Sequence, residues 1–207
     1  MKVLIGCEFS GTVRDAFIDQ GHHAVSCDLL PTEKPGPHYL GDVFKAIESE
    51  SWDLAIFHPP CTYLTLSANK WMKDQPPRKS GALVGAERRE AQKYAIEFFM
   101  KLWNCGIPRI AIENPIGVMS SVFREPDQIL QPWMFGHGET KATCIWSRGL
   151  PKLVPTNTVR GREQRLHFLP KTDDRWAIRS KTFPGIAKAM ATQWGSFVSA
   201  DFKTTLF

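Results

Sequence analysis

Four short, continuously apolar runs alternate with helical patterns, and that alternation limits what the chain can fold into. The runs are "KVLIGC" (2–7), "HAVSCDLL" (23–30), "WDLAIFHPP" (52–60) and "PRIAIENP" (108–115). Between them, "TVRDAFIDQG", "VFKAIESES" and "AERREAQKYAIEFFMKLWNCG" carry apolar residues at helical spacing, with Gly21 and Gly106 closing two of them. Strands without polar alternation are buried on both faces, and strand–helix–strand spacing favours parallel pairing. The chain therefore reads as an α/β protein, a mostly parallel sheet with helices on both faces. "PTEKPGPHYLGD" reads as loop, and "KDQPPRKSGALVG" (73–85) as a mobile loop.

A length of 207 residues suits one domain, 1–207, and 43% hydrophobic with 23% charged residues is ordinary for a soluble protein. No apolar run is long enough to cross a bilayer, and the N-terminal run is too short for a signal peptide. The five cysteines are scattered, with no C-x-x-C pair and no zinc-ligand spacing. The expectation is a cytoplasmic protein with no disulfide framework and no metal. A net charge of +5 is compatible with a polyanionic partner.

In parallel sheets, ligands bind beyond the carboxyl ends of the strands, and the unusual residues fall there. "EFSG" follows the first strand, Asp28 ends the second, "HPPC" follows the third and "ENP" ends the fourth. Gly11 lets backbone approach a ligand at a helix start, or simply makes a βα turn. Asp28 suits ribose hydroxyls, or caps its own loop. Asp42 suits an adenine amino group, or caps the helix it precedes. Pro59 and Pro60 place Cys61 rigidly, as a nucleophile or as an inert small hydrophobe. Glu113, ending an apolar strand, is expected to have a raised pKa and to donate a proton, the alternative being a salt-bridged or capping glutamate.

The ordered set "EFSG", Asp28, "GDV", "HPPC" and "ENP" resembles the cytosine-carbon-5 DNA methyltransferase family. "HPPCTYLT" and "QPWMFGHGETKAT" are similar to its compact, phage-type branch. The resemblance implies a Rossmann-like S-adenosylmethionine-dependent fold and methylation of cytosine carbon 5 through a covalent Cys61 adduct. It makes Glu113 the acid, with Asn114 beside it and Lys141 as a neighbouring cation. Glu8, Phe9, Ser10, Gly11, Asp28, Leu29, Asp42, Val43 and Pro59 would hold the cofactor. "FGHGETKAT" (135–143) resembles the family's F-G-x-P-Q-x-R-x-R strand, with Thr143 where an arginine is usual. Val13 replaces the second glycine of the F-x-G-x-G turn. "FPGIAKAMATQWG" (183–195) resembles the closing helix, without its G-N.

The family's target-recognition region is reduced here to a short basic insertion, 147–182. Within it, Arg160, Arg162, Arg165, Lys171 and Arg179 lie among the aromatics Phe168 and Trp176, a pattern suited to phosphate contact and base stacking. DNA is the expected partner of a monomer, in the host cytoplasm if phage-encoded. The short insertion and Thr143 keep two alternatives open: an enzyme acting on a pyrimidine nucleotide, and a non-catalytic nucleic-acid binder of the same fold. His137 reads as a packed or solvated histidine, while Trp133 and Trp146 stand near the expected pocket.

Overall fold

The computed structural model describes residues 1–204. Its elements run β1 (Lys2–Gly6), α1 (Thr12–Asp19), β2 (His23–Asp28), β3 (His38–Leu40), α2 (Val43–Ser49) and β4 (Leu54–Phe57). After a 3-10 segment at Leu66–Met72 come α3 (Gly85–Trp103), β5 (Ile110–Pro115), α4 (Met119–Val122), β6 (Gln128–Leu130) and β7 (Thr143–Arg148). Two short helices, α5 (Arg165–Phe168) and α6 (Arg175–Ser180), precede α7 (Pro184–Ala189) and α8 (Gly195–Thr204), which a π-type turn joins.

One sheet of seven strands results, in the order β3-β2-β1-β4-β5-β7-β6. Pairing is parallel from β3 to β5 and antiparallel where β7 meets β5 and β6. Strand order reverses between β1 and β4, so a crevice opens beyond their carboxyl ends, as in Rossmann-like sheets.

Side chains alternate across each strand and feed two cores. Val3, Ile5, Leu54 and Ile56 face α1 and α7 through Val13, Phe17, Ile186 and Ala187. Leu4, Ala55, Phe57 and Ile112 face α2 and α3 through Val43, Ala46, Phe99 and Leu102. Helices therefore cover both faces, as the unbroken apolar runs require. Each fully buried large aliphatic contributes roughly 1.5–3 kcal/mol.

Two local readings are corrected. The loop 31–42 contains the edge strand β3, which pairs with β2 from Ser26↔His38 to Asp28↔Leu40. The stretch 135–143 enters a strand only at Thr143; its earlier residues make single bridges to the insertion, Phe135↔Asn157 and Glu139↔Glu163. Trp146 is fully buried in the core and donates its indole N–H to the Arg124 carbonyl. No helix among the described residues is long and apolar enough to cross a membrane.

Candidate active site

The turn after β1 carries backbone strain. Cys7 has φ 60, a left-handed value that non-glycine residues rarely adopt. It turns the chain so that Glu8 tucks under α1. The Glu8 carboxylate accepts Val13 N–H at 2.7 Å, Arg14 N–H at 3.2 Å and the Ser10 hydroxyl at 3.1 Å. Both of its oxygens thus satisfy the start of α1, where a helix otherwise leaves open donors. Gly11, with φ 69, has its open side filled by the chain's own Arg14: a Cβ there would collide with that guanidinium. Arg14 is fully buried and donates to Ser26, Thr32 and the Lys34 and Pro35 carbonyls. Local packing therefore explains both Glu8 and Gly11.

The acidic ends of the next elements lie together. One Asp28 oxygen accepts Leu30 N–H at 3.0 Å, and one Asp42 oxygen accepts Phe44 N–H at 2.9 Å, capping α2. The second oxygen of each has no partner among the described residues. Burial and then Asp28 and Asp42 push the Cys27 thiol up to about 12, and burial, then Asp28, Cys27 and Asp42, raise Cys7. Beside these carboxylates Leu29 and Leu40 are 77% and 61% exposed. Val43 lies in the core beneath α2 and Pro59 is buried, while Phe9 is half-buried and touches Trp176.

On the other side of the switch point, Cys61 is the one exposed cysteine of the five. Leu64 and Thr65 donate their N–H groups to its carbonyl, making a tight turn. The buried Asn114 donates to the Pro59 carbonyl at 2.9 Å and so fastens the end of β5 to this turn. From α3, Arg88 donates to the Thr62 carbonyl at 2.8 Å and Gln92 to the Tyr63 carbonyl at 2.9 Å. Gly117 lies against the Leu64 carbonyl so closely that a Cβ would overlap it. Sequence reading missed Arg88, Gln92 and Gly117. Helical spacing marks Arg88 and Gln92 only as polar positions, and nothing local points to their partner loop.

Glu113 is largely buried at the end of β5, with His58 Nδ1 3.0 Å from its Oε2. Burial by itself would raise its carboxyl. The His58 hydrogen bond, the Lys141 and His58 charges and the Thr143 hydroxyl outweigh that and hold it below the ordinary carboxylate range. The raised carboxyl expected from sequence is thus overturned by partners distant along the chain. The Thr143 hydroxyl also lies 3.2 Å from the Lys141 carbonyl, so its single proton serves one acceptor at a time. Burial and then Glu113 raise the Cys61 thiol, while Lys141 and Arg179 oppose the rise. Cys61 therefore lies within electrostatic reach of Glu113, Lys141 and Arg179, and Glu113 within reach of Lys141. Glu113, Lys141 and Thr143 line a small cleft with Thr182, Phe183 and Ile186.

The basic insertion folds back on the domain. Arg165 pairs with Glu139 at 2.7 Å, and Arg162 stacks 3.8 Å from the Trp133 ring. Arg160 and Lys171 are exposed. Lys181 pairs with Glu33 at 2.6 Å, and its carbonyl accepts the Lys141 ammonium at 3.2 Å. His137 accepts Gly185 N–H at 2.9 Å and packs against Phe183, a structural position. No group of three or more His, Cys, Asp or Glu among the described residues could hold a metal ion.

No model of a known protein family matches the chain, and no curated protein matches it. Solved structures similar to it include a mutant of Spodoptera frugiperda DNMT2, with 15% identity and a TM-score of 0.41 over 82% of this chain and 55% of that one. The S. pombe Dnmt2 methyltransferase aligns with 16% identity and a TM-score of 0.42 over 81% and 53%. This chain spans about half the length of both, and likeness this distant carries no inference about its chemistry.

Proposed function

We propose that the protein is an S-adenosylmethionine-dependent methyltransferase acting on carbon 5 of cytosine in DNA through a covalent Cys61 adduct. The convergence of Cys61, Glu113 and Lys141 at the carboxyl ends of β4 and β5 carries this reading. Lone cysteines are usually inert, but a thiol at an exposed position that feels both a carboxylate and an ammonium is suited to conjugate addition.

The residues on the β1–β2 side fit the cofactor in part. Asp28 and Asp42 each keep an oxygen for ribose hydroxyls or an amino group, and Leu29 and Leu40 offer apolar cover for a purine. Phe9 and Ser10 complete that edge, whereas Glu8, Gly11 and Val43 support it from within. When bound, S-adenosylmethionine supplies carbon 5 with an electrophilic methyl group on a sulfonium.

The chain's own groups handle the ring. Cys61 reacts as its thiolate, its proton having passed to solvent; as the sulfur bonds carbon 6, the carbon 5–carbon 6 π pair shifts to the carbon 4–carbon 5 bond. The carbon 4–nitrogen 3 π pair passes to nitrogen 3, which takes a proton through Glu113. After methylation the carbon 5 proton leaves to solvent water, the 5,6 double bond re-forms and Cys61 departs as thiolate. Nitrogen 3 then returns its proton. Lys141 stabilises the anionic forms of both Glu113 and Cys61. Arg160, Lys171 and Arg179 would meet phosphates, with Arg162 and Arg165 bracing the insertion that presents them.

A nucleotide acceptor is the second reading, favoured by an insertion that packs onto its own domain through Trp176 and Lys181. The test is transfer of labelled methyl to duplex DNA, single strands and dCMP, with Cys61→Ala alongside. DNA containing 5-fluorocytosine adds a second readout, since fluorine cannot leave as a cation and the adduct persists. Label on DNA and a trapped Cys61 adduct are expected. Label on dCMP alone would establish the second reading, and no label on any acceptor would overturn both.

A further inference from the structure

His58 has no part in the chemistry so far. It follows β4 at the head of the "HPPC" turn, and its imidazole is 9% exposed against a Glu113 side chain 13% exposed. Nδ1 lies 3.0 Å from Glu113 Oε2, while Nε2 is buried with no partner. Buried histidines that serve only as struts usually have both ring nitrogens satisfied. This ring is fixed from one side alone, by the carboxylate of the candidate acid.

We propose that His58 and Glu113 act as a couple that holds one exchangeable proton, passed through Glu113 to ring nitrogen 3 and taken back on product release. The inference rests on the methyltransferase reading. At nitrogen 3 a proton is needed when the sulfur–carbon 6 bond forms, and His58, Lys141 and Thr143 hold the Glu113 carboxyl below the ordinary range against its burial. Its other neighbours are poor sources. Lys141 donates to the Lys181 carbonyl. Thr143 offers only a hydroxyl. Cys61 and Cys144, which both feel the Glu113 charge, hold their protons above the ordinary thiol range. Of these residue types, imidazole is the one whose ordinary chemistry is proton exchange. Nδ1 faces the Glu113 carboxylate and Nε2 is buried with no partner, so the only path for proton exchange runs through the 3.0 Å Nδ1–Oε2 contact. The proton gained by nitrogen 3 is the one lost by the couple, and it returns as Cys61 leaves, so the cycle balances.

His58 is a positioning residue, acting through Glu113. His58→Asn keeps a side-chain N–H toward Glu113 and cannot hold the extra proton. Single-turnover methyl transfer by wild type is expected to slow as pH rises through the couple's titration, because the protonated form reacts. In H58N that limb should move to lower pH, with the rate at neutrality reduced by about 10² and KM unchanged. An H58N profile with the wild-type limb would overturn the proposal. Independently of activity, the NMR titration of His58 should move to lower pH in Glu113→Gln, since the partner anion is gone. An unmoved titration would show that no couple exists. A wild-type protein inert toward every pyrimidine acceptor would sink the methyltransferase reading and with it the proton's destination, while the titration would still decide whether the two side chains are coupled.

Discussion

The ring of Trp176 lies 5.6 Å from that of Phe9, the planes tilted by 49°. Trp176 belongs to α6 in the basic insertion, and Phe9 to the turn after β1. The Lys181–Glu33 ion pair at 2.6 Å joins the insertion to the loop after β2, whose Glu33 N–H donates to the Phe9 carbonyl. A segment read from its charge as a nucleic-acid surface therefore also walls the edge where the cofactor is proposed to lie. Aromatic contacts of this kind contribute about 0.5–1.5 kcal/mol beyond burial.

Trp176→Ala should accordingly weaken S-adenosylmethionine binding by about 2–10-fold, measured by calorimetry. Trp176 is 56% exposed, so the thermal midpoint should barely change. Unchanged affinity would mean that α6 decorates the surface without shaping the cleft.

Thiol reactivity tests the electrostatics around Cys61. Burial and the Glu113 carboxylate raise this thiol, while Lys141 and Arg179 pull the other way. Alkylation by iodoacetamide, followed at the Cys61 peptide by mass spectrometry, should be slow at pH 7 and accelerate in alkaline solution. Lys141→Met should slow it at any fixed pH below the titration, and Glu113→Gln should speed it. Opposite responses would remove Lys141 and Glu113 from the thiol's surroundings.

The sheet was legible where a residue's environment is set by its neighbours in sequence. Continuous apolar runs gave β1, β2, β4 and β5, and helical spacing gave α1, α2 and α3. Strand β3 was hidden, because "HYL" lies in a Pro/Gly-rich stretch and owes its extension to β2 and to the His38 ring, which touches the Ser26 hydroxyl and the Leu30 carbonyl. Glu113 failed for the same reason on the scale of the site. Its apolar strand argues for a raised carboxyl, while His58, 55 residues away, helps to reverse the sign. Cys61 and Asp28 could be placed at strand ends and Asp42 at a helix start from sequence, but the Arg88 and Gln92 anchors of the Cys61 loop could not.

Glu8 offers a prediction about stability. It is 5% exposed and receives two backbone N–H groups from α1. Glu8→Ala leaves those donors buried and unpaired, at about 1–3 kcal/mol. For a chain of this size each kcal/mol lowers the thermal midpoint by about 2–4 °C. Glu8→Gln keeps one acceptor oxygen and should fall between wild type and E8A in calorimetric scans. An E8A midpoint equal to wild type would mean that Glu8 does not cap α1, and would return it to the cofactor residues.

Acid unfolding reports on Glu113 without reference to any activity. Its carboxyl is depressed in the folded state against burial, by His58, Lys141 and Thr143. A group depressed on folding stabilises the native state above its unfolded value, about 4.3, and loses that contribution as pH falls through the folded value. Urea unfolding free energies should therefore rise with pH across the carboxylate range in wild type, and rise less steeply in Glu113→Gln. Asp127 adds to the same slope in both proteins: burial opposes ionisation, but Arg124 and the Ser147 N–H prevail. The comparison cancels that background and leaves Glu113 alone. If the two slopes coincide, the carboxylate is not held by its buried partners, and the couple with His58 loses its electrostatic basis.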